Sequence, residues 1–136
     1  MKRYPAEEIY YDMDLDTCRG YDRLTSLVAL ALSKVPKRIV NKVIKECNIV
    51  MLEDGCDGVF FQGMKKKTIF LTDRIWEMKP RDRYHLILHE VAHHHLNHKE
   101  LCGSNAMQEH TKQEADADAL AGKWNKNRAK IKGRWL

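Results

Sequence analysis

Six of the seven histidines fall between His85 and His98, and two of them, His89 and His93, stand four residues apart with Glu90 beside the first. On a helix that spacing stacks the two imidazoles on one face, where both can reach a single zinc ion at about 2.0–2.1 Å. Glu90 lies round the helix from that face, poorly placed as a ligand but within reach of a water on the metal. Zinc lowers the pKa of such a water from about 15.7 towards about 7, and a carboxylate in the position of Glu90 takes its proton as general base. The flanking Leu86, Ile87, Leu88, Val91, Ala92 and Leu96 predict a largely buried helix. Buried imidazoles and carboxylates need partners. The plainer alternative, a wet helix face rich in histidine, fits those neighbours less well.

Two histidines do not hold a catalytic zinc by themselves, so a third ligand comes from elsewhere. A metzincin needs Gly three residues after His93 and His six after it; this chain has Leu96 and Lys99. A helix continuing to about His98 turns His94, His95 and His98 away from the His89/His93 face. The better candidate lies in Glu-Ala-Asp-Ala-Asp-Ala-Leu-Ala, residues 114–121. Glu114 and Asp118 are again four apart, and Ala117 and Ala121 beside them let this helix approach the histidine helix closely. Glu114 is long enough to bind the metal, and the shorter Asp118 can orient a ligand imidazole from behind. The competing reading is an acidic stripe facing solvent.

His-Glu-Val-Ala-His followed by Glu-Ala-Asp-Ala-Asp-Ala-Leu-Ala resembles the gluzincin metallopeptidases. The resemblance covers about residues 80 to 125. It is closest to the branch of the CAAX prenyl protease and HtpX, whose second motif is Glu-x-x-Ala-Asp; the ImmA/IrrE-like peptidases carry a related motif. It implies that Glu114 binds the metal and that Asp118 supports it. Without the membrane helices of that branch, the chain is similar to the soluble minimal gluzincins, where an edge strand beside the zinc helix holds the substrate backbone. Phe60-Phe61-Gln62 or Ile69-Phe70-Leu71 is the equivalent, by β-addition of an extended peptide. The family also supplies a Tyr, His or Arg after the second motif to steady the oxyanion. All five tyrosines precede His89, so the candidates are the donors downstream of the histidine helix, His110 (which comes before the second motif) or Arg128. A second resemblance, to the SprT-like proteases, makes His110 the third ligand, although Thr111 stands where a glycine is expected.

The elements that must position these residues follow from hydrophobic period. Residues 21–35 place Leu24, Leu27, Val28 and Ala31 at helical spacing, and Pro36 opens a second helix with Ile39, Val40, Val43, Ile44 and Cys47 on one face. The runs NIVMLED, GVFFQG and TIFLT are short and rich in β-branched and aromatic residues, and predict two or three antiparallel strands, or a mixed sheet. From Pro80 the period is helical to about His98. A loop over Cys102–Asn105 precedes a last helix from Met107 or Thr111 to about Asn127. The expected fold is α+β: N-terminal helices, a small sheet, the zinc-binding helix and a glutamate helix. Residues 1–20 are expected as an acidic segment without helical or strand period, 21–127 as the minimal peptidase domain and 128–136 as a basic tail.

Length and composition bound the rest. The chain has 136 residues, 43% hydrophobic and 32% charged, as expected of one soluble globular domain. No N-terminal signal peptide is evident, and the longest apolar run, Leu27–Leu32, is too short to cross a bilayer. A cytoplasmic location is expected, with Cys18, Cys47, Cys56 and Cys102 as free thiols. The net charge of +5 is uneven: six of the 24 bases follow Asp118, with no acid among them, leaving 18 bases against 19 acids before that point. Glu7, Glu8, Asp12, Asp14 and Asp16 form an acidic stretch. Such blocks are usually solvated, but the basic tail is a candidate nucleic-acid contact, or the two ends pair. A carboxylate of Asp12, Asp14 or Asp16, or the Cys18 thiolate, is also a candidate plug for the metal's open position.

The expected activity is zinc-dependent hydrolysis of peptide bonds in a protein or peptide substrate, with one zinc per chain. The alternatives are a latent or regulatory zinc-binding module with little turnover, and a SprT-like protease associated with nucleic acid.

Overall fold

Every residue of the apolar run Leu27–Leu32 is buried, so the helix that carries it is covered on all sides. In the computed structural model, which describes residues 2–13, 22–52, 67–98 and 106–132, this run belongs to α2 (Asp22–Leu32). Helix α1 (Ala6–Asp12) packs on one side of α2, and the histidine-rich helix α4 (Pro80–His95) on another. Helix α3 (Lys37–Glu46) buries only one face, through Ile39, Val40 and Val43. Its last residue runs directly into strand β1 (Cys47–Leu52). Strand β2 (Lys67–Thr72) and a 3-10 turn over Asp73–Glu77 then lead into α4, and α5 (Ala106–Asn125) returns along it. The fold is α+β.

The sheet corrects an expectation. β1 and β2 pair in parallel, in register from Cys47 opposite Lys67 to Leu52 opposite Thr72, not as an antiparallel hairpin. The physical reason is the connection: residues 53–66 are long enough for a crossover, whereas a hairpin needs only a few residues. The run GVFFQG, and with it Phe60-Phe61-Gln62, lies outside the described residues. Cys47, Ile49 and Met51 on β1 and Ile69 and Leu71 on β2 are buried, at every second position, so one face of the ribbon closes on the helices. Cys47 is a core thiol; the other three cysteines lie outside the described residues.

Residues 6–12 are helical, and the segment 2–13 is integral to the core, contrary to the expectation of an acidic segment without period. Ala6, Ile9 and Met13 are buried at helical spacing, while Glu7 and Glu8 occupy the first turn of α1, where negative charge favours a helix. The basic tail is anchored against it through residue 132. Ala6 N–H donates to Lys130 O at 2.7 Å, Arg3 Nη1 to Arg128 O at 2.8 Å, and Lys130 N–H to Ser33 Oγ at 3.0 Å. Lys132 N–H donates to Glu7 Oε2. The two oppositely charged ends therefore meet, largely through backbone groups.

Helix α4 is aimed by its own first turn. Pro80 starts it, with no N–H to lose. Arg83 then donates from Nε to Ile75 O at 2.9 Å and from Nη2 to Trp76 O at 2.7 Å, tying the helix to the 3-10 turn. The Arg23 guanidinium of α2 stacks 3.9 Å above the Trp76 ring, which joins that turn to the central helix. Among the described residues, no helix is long and apolar enough to cross a membrane.

Candidate metal centre

Helix α4 is divided lengthwise between core and site. Ile87, Leu88, Val91 and Ala92 are buried, while His85, His89 and His93 form a stripe at four-residue spacing that faces α5. Ala117 and Ala121 of α5 are fully buried, and their small side chains allow the two helices to lie close. That approach brings Glu114 and Asp118, on the same face of α5, onto the histidine stripe.

The atoms converge tightly. His89 Nε2 is 3.0 Å from Glu114 Oε2, His93 Nε2 is 3.0 Å from Glu114 Oε1, and the two Nε2 atoms are 2.9 Å apart. On the far side of the first ring, His89 Nδ1 is 2.7 Å from Asp118 Oδ1, and His85 Nε2 reaches the same oxygen at 3.3 Å. Hydrogen bonds from His85, and then from His89, hold the Asp118 carboxyl below the usual carboxylate range. An ionised carboxylate only accepts, so His89 donates from Nδ1, and in the neutral ring this leaves the bare lone pair of Nε2 facing Glu114.

That arrangement has a chemical consequence. A lone pair of His89 faces a carboxylate and a second imidazole nitrogen, all within 3.0 Å. A proton on His93 Nε2 relieves one edge of this triangle; a divalent cation relieves all three. Tetrahedral zinc with bonds of about 2.0–2.1 Å spaces its donors roughly 3.3 Å apart, so side-chain shifts of a few tenths of an ångström seat it. The donor set of two imidazoles and a carboxylate suits zinc and neighbouring divalent ions. His89, His93 and Glu114 can hold a metal ion. His85, His89 and Asp118 form a second such group, but its carboxylate is already satisfied by two imidazole donors, so the first set fits a metal better.

Family models, curated proteins and solved structures were all compared with this chain. None matches it.

The remaining sequence candidates are distributed as follows. Glu90 is half-buried and lines a cleft of about 140 Å³ together with His93, His98 and the first residues of β2, Lys67, Thr68 and Ile69. A second hollow of about 320 Å³ opens on the other side of the triad, beside Met78, Asp82, His85 and Leu86. His110 lies one turn before Glu114 and is exposed; among the described residues, the groups that can hold a metal take Glu114 and not His110. Arg128 is exposed in the tail, where its carbonyl accepts from Arg3, and neither it nor His110 lines the cleft beside Glu90. Asp12 closes α1 and takes no part in either metal-holding group, while Asp14, Asp16 and Cys18 lie outside the described residues.

His98 is the main addition to the expected site. Helix α4 ends at His95 rather than near His98, and Asn97 adopts a left-handed conformation with φ 56°. Asn97 N–H then donates to His94 O and His98 N–H to His93 O, a Schellman closure that reverses the chain. The reversal returns His98 to the metal face, with its Nδ1 2.8 Å from His93 Nδ1. Burial, and then the neighbouring His93, holds His98 below the ordinary histidine pKa. The signal was present in the sequence: an Asn after the last apolar residue is a helix stop. His85, four residues before His89, was equally visible as a third member of the stripe.

Proposed function

We propose that this protein is a zinc-dependent metallopeptidase, with one zinc ion per chain held by His89, His93 and Glu114 and with Glu90 as general base. The observation that carries the reading is the convergence of three electron-pair donors, one of which, His93, also lines the cleft that Glu90 and a β-strand share. The resemblance of HEVAH and EADADALA to the gluzincins points the same way.

When bound, zinc supplies Lewis acidity that makes a water acidic near neutral pH. The chain's own groups do the rest. Asp118 and His98 hold the outer nitrogens of the two ligand imidazoles, so both rings keep their aim. Glu90 accepts a proton from the attacking water as the new C–O bond forms, and returns it to the amine when the C–N bond breaks. Lys67, Thr68 and Ile69 of β2 line the same cleft, and an extended peptide laid along this strand brings its carbonyl to the water. Of the two strand segments considered, Ile69-Phe70-Leu71 belongs to β2.

The test compares the zinc-loaded full chain with Glu90→Gln on a denatured protein substrate. The expected outcome is cleavage by the first, and a loss of about 10²–10⁴-fold in the second at unchanged zinc content. Zinc-loaded protein that cleaves nothing would make the chain a metal-binding module. An equally active Gln variant would remove Glu90 from the chemistry.

A further inference from the structure

His93 and His98 share a hydrogen bond between two Nδ1 atoms, at 2.8 Å. One nitrogen must donate and the other accept, so the proton on one ring dictates the proton on the other. A metal on His93 Nε2 forces the proton of that ring onto Nδ1, which becomes the donor. His98 Nδ1 is then the acceptor, and the single proton of His98 is left on Nε2. The His98 ring lines the cleft that also holds Glu90 and the start of β2.

We infer that metal binding locks His98 as an Nε2–H donor in this cleft, where it hydrogen-bonds the substrate carbonyl oxygen as that oxygen becomes negative. The inference rests on the metallopeptidase reading, and extends it to a role for which neither His110 nor Arg128 is placed. The Schellman closure at Asn97 makes it geometrically available: the reversal brings the His98 ring back to His93, Nδ1 to Nδ1 at 2.8 Å, while the ring lines the cleft. Lys67 Nζ sits 3.5 Å from Asn97 Oδ1, so a strand residue on the wall of the same cleft steadies the turn. The donor is created by the metal that it assists, so the apo protein has no reason to prefer this tautomer.

Two measurements test this, one of them independent of turnover. Long-range proton–nitrogen NMR of the imidazoles in the zinc-loaded full chain should show His98 protonated on Nε2 and bare on Nδ1. The opposite tautomer overturns the inference. The second measurement is binding of a phosphinic peptide, whose anionic oxygens mimic the developing oxyanion, to zinc-loaded wild type, His98→Phe and His98→Gln. Compared at full zinc occupancy, because either substitution also removes the support of His93 and lowers zinc affinity, Phe should weaken analogue binding at least tenfold and Gln, which keeps an N–H, by less. A donor of this kind is worth about 10²–10³ in kcat, so Phe should lower kcat by that factor with little change in KM. A role confined to propping His93 lowers zinc affinity alone and leaves analogue binding at full zinc occupancy intact, which overturns the assignment. Failure of the peptidase reading is separately recognisable: wild type then binds no analogue although zinc still sets the Nε2–H tautomer, and that result overturns the substrate-facing role.

Discussion

Asp118 holds His89 from behind, with Oδ1 2.7 Å from the ring's Nδ1, while Glu114, one turn earlier on the same helix, meets that ring's Nε2 at 3.0 Å. A single face of α5 therefore fixes both the orientation and the proton of a metal-facing imidazole. The two carboxylates do different work, and substitution separates them.

Glu114→Ala removes a donor and should weaken zinc binding far more than Asp118→Ala, which removes only the support and should cost about 10–100-fold. His110→Ala should leave affinity unchanged. Competition titrations against a chromophoric chelator read all three. Loss of zinc in the His110 variant with retention in Glu114→Ala would move the third ligand to His110.

The close approach of α5 to α4 depends on Ala117, which is fully buried. Ala117→Leu should overpack this interface at a cost of about 1–3 kcal/mol and weaken zinc binding by shifting Glu114. Gly122 on the same helix has open space where a Cβ would stand. Gly122→Ala should therefore stabilise the protein by about 0.5–1 kcal/mol with zinc affinity unaltered. Urea midpoints and chelator titrations on both variants decide this. A well-folded Ala117→Leu with native affinity would show that helix spacing does not set the site.

Lys34 is buried with Nζ 2.9 Å from Asn125 Oδ1 and 4.5 Å from the centre of the Tyr84 ring. Burial, then Arg81 and Arg3, lowers its pKa, whereas burial raises that of Tyr84. Between the lowered Lys34 value and the ordinary lysine value of about 10.4, the unfolded chain binds the lysine proton more than the folded one. Stability should therefore rise with pH through that window. Above about 10 the sign reverses for Tyr84, because the folded state keeps a proton that the unfolded state loses. Urea midpoints over an alkaline pH series should show the rise in wild type and its absence in Lys34→Met. Parallel profiles would exclude Lys34 as its source.

The parts of this site that were legible in sequence are those governed by local period. Four-residue spacing on a helix is a statement about one face, so His89 with His93, and Glu114 with Asp118, could be paired without knowing the fold. The alanines between the acids implied the close helix contact that brings the two pairs together. What local period does not encode was missed. The parallel strand order depends on the route of residues 53–66, which the β-rich composition of the strands does not reveal. Helix α1 spans only seven residues, and its acids obscured the buried spacing of Ala6, Ile9 and Met13. His98 was misplaced because an apolar period was extended one turn past Asn97, a residue suited to the left-handed cap that ends the helix.

The centre itself is tested most directly by the metal content of the full chain purified with zinc supplementation, measured by elemental analysis beside His89→Ala. About one zinc per chain is expected for wild type, and little in the variant, which should also unfold at lower urea because binding is coupled to folding. Wild-type protein that carries no zinc, or a His89→Ala protein that carries as much, would contradict the assignment of His89, His93 and Glu114 as a metal site.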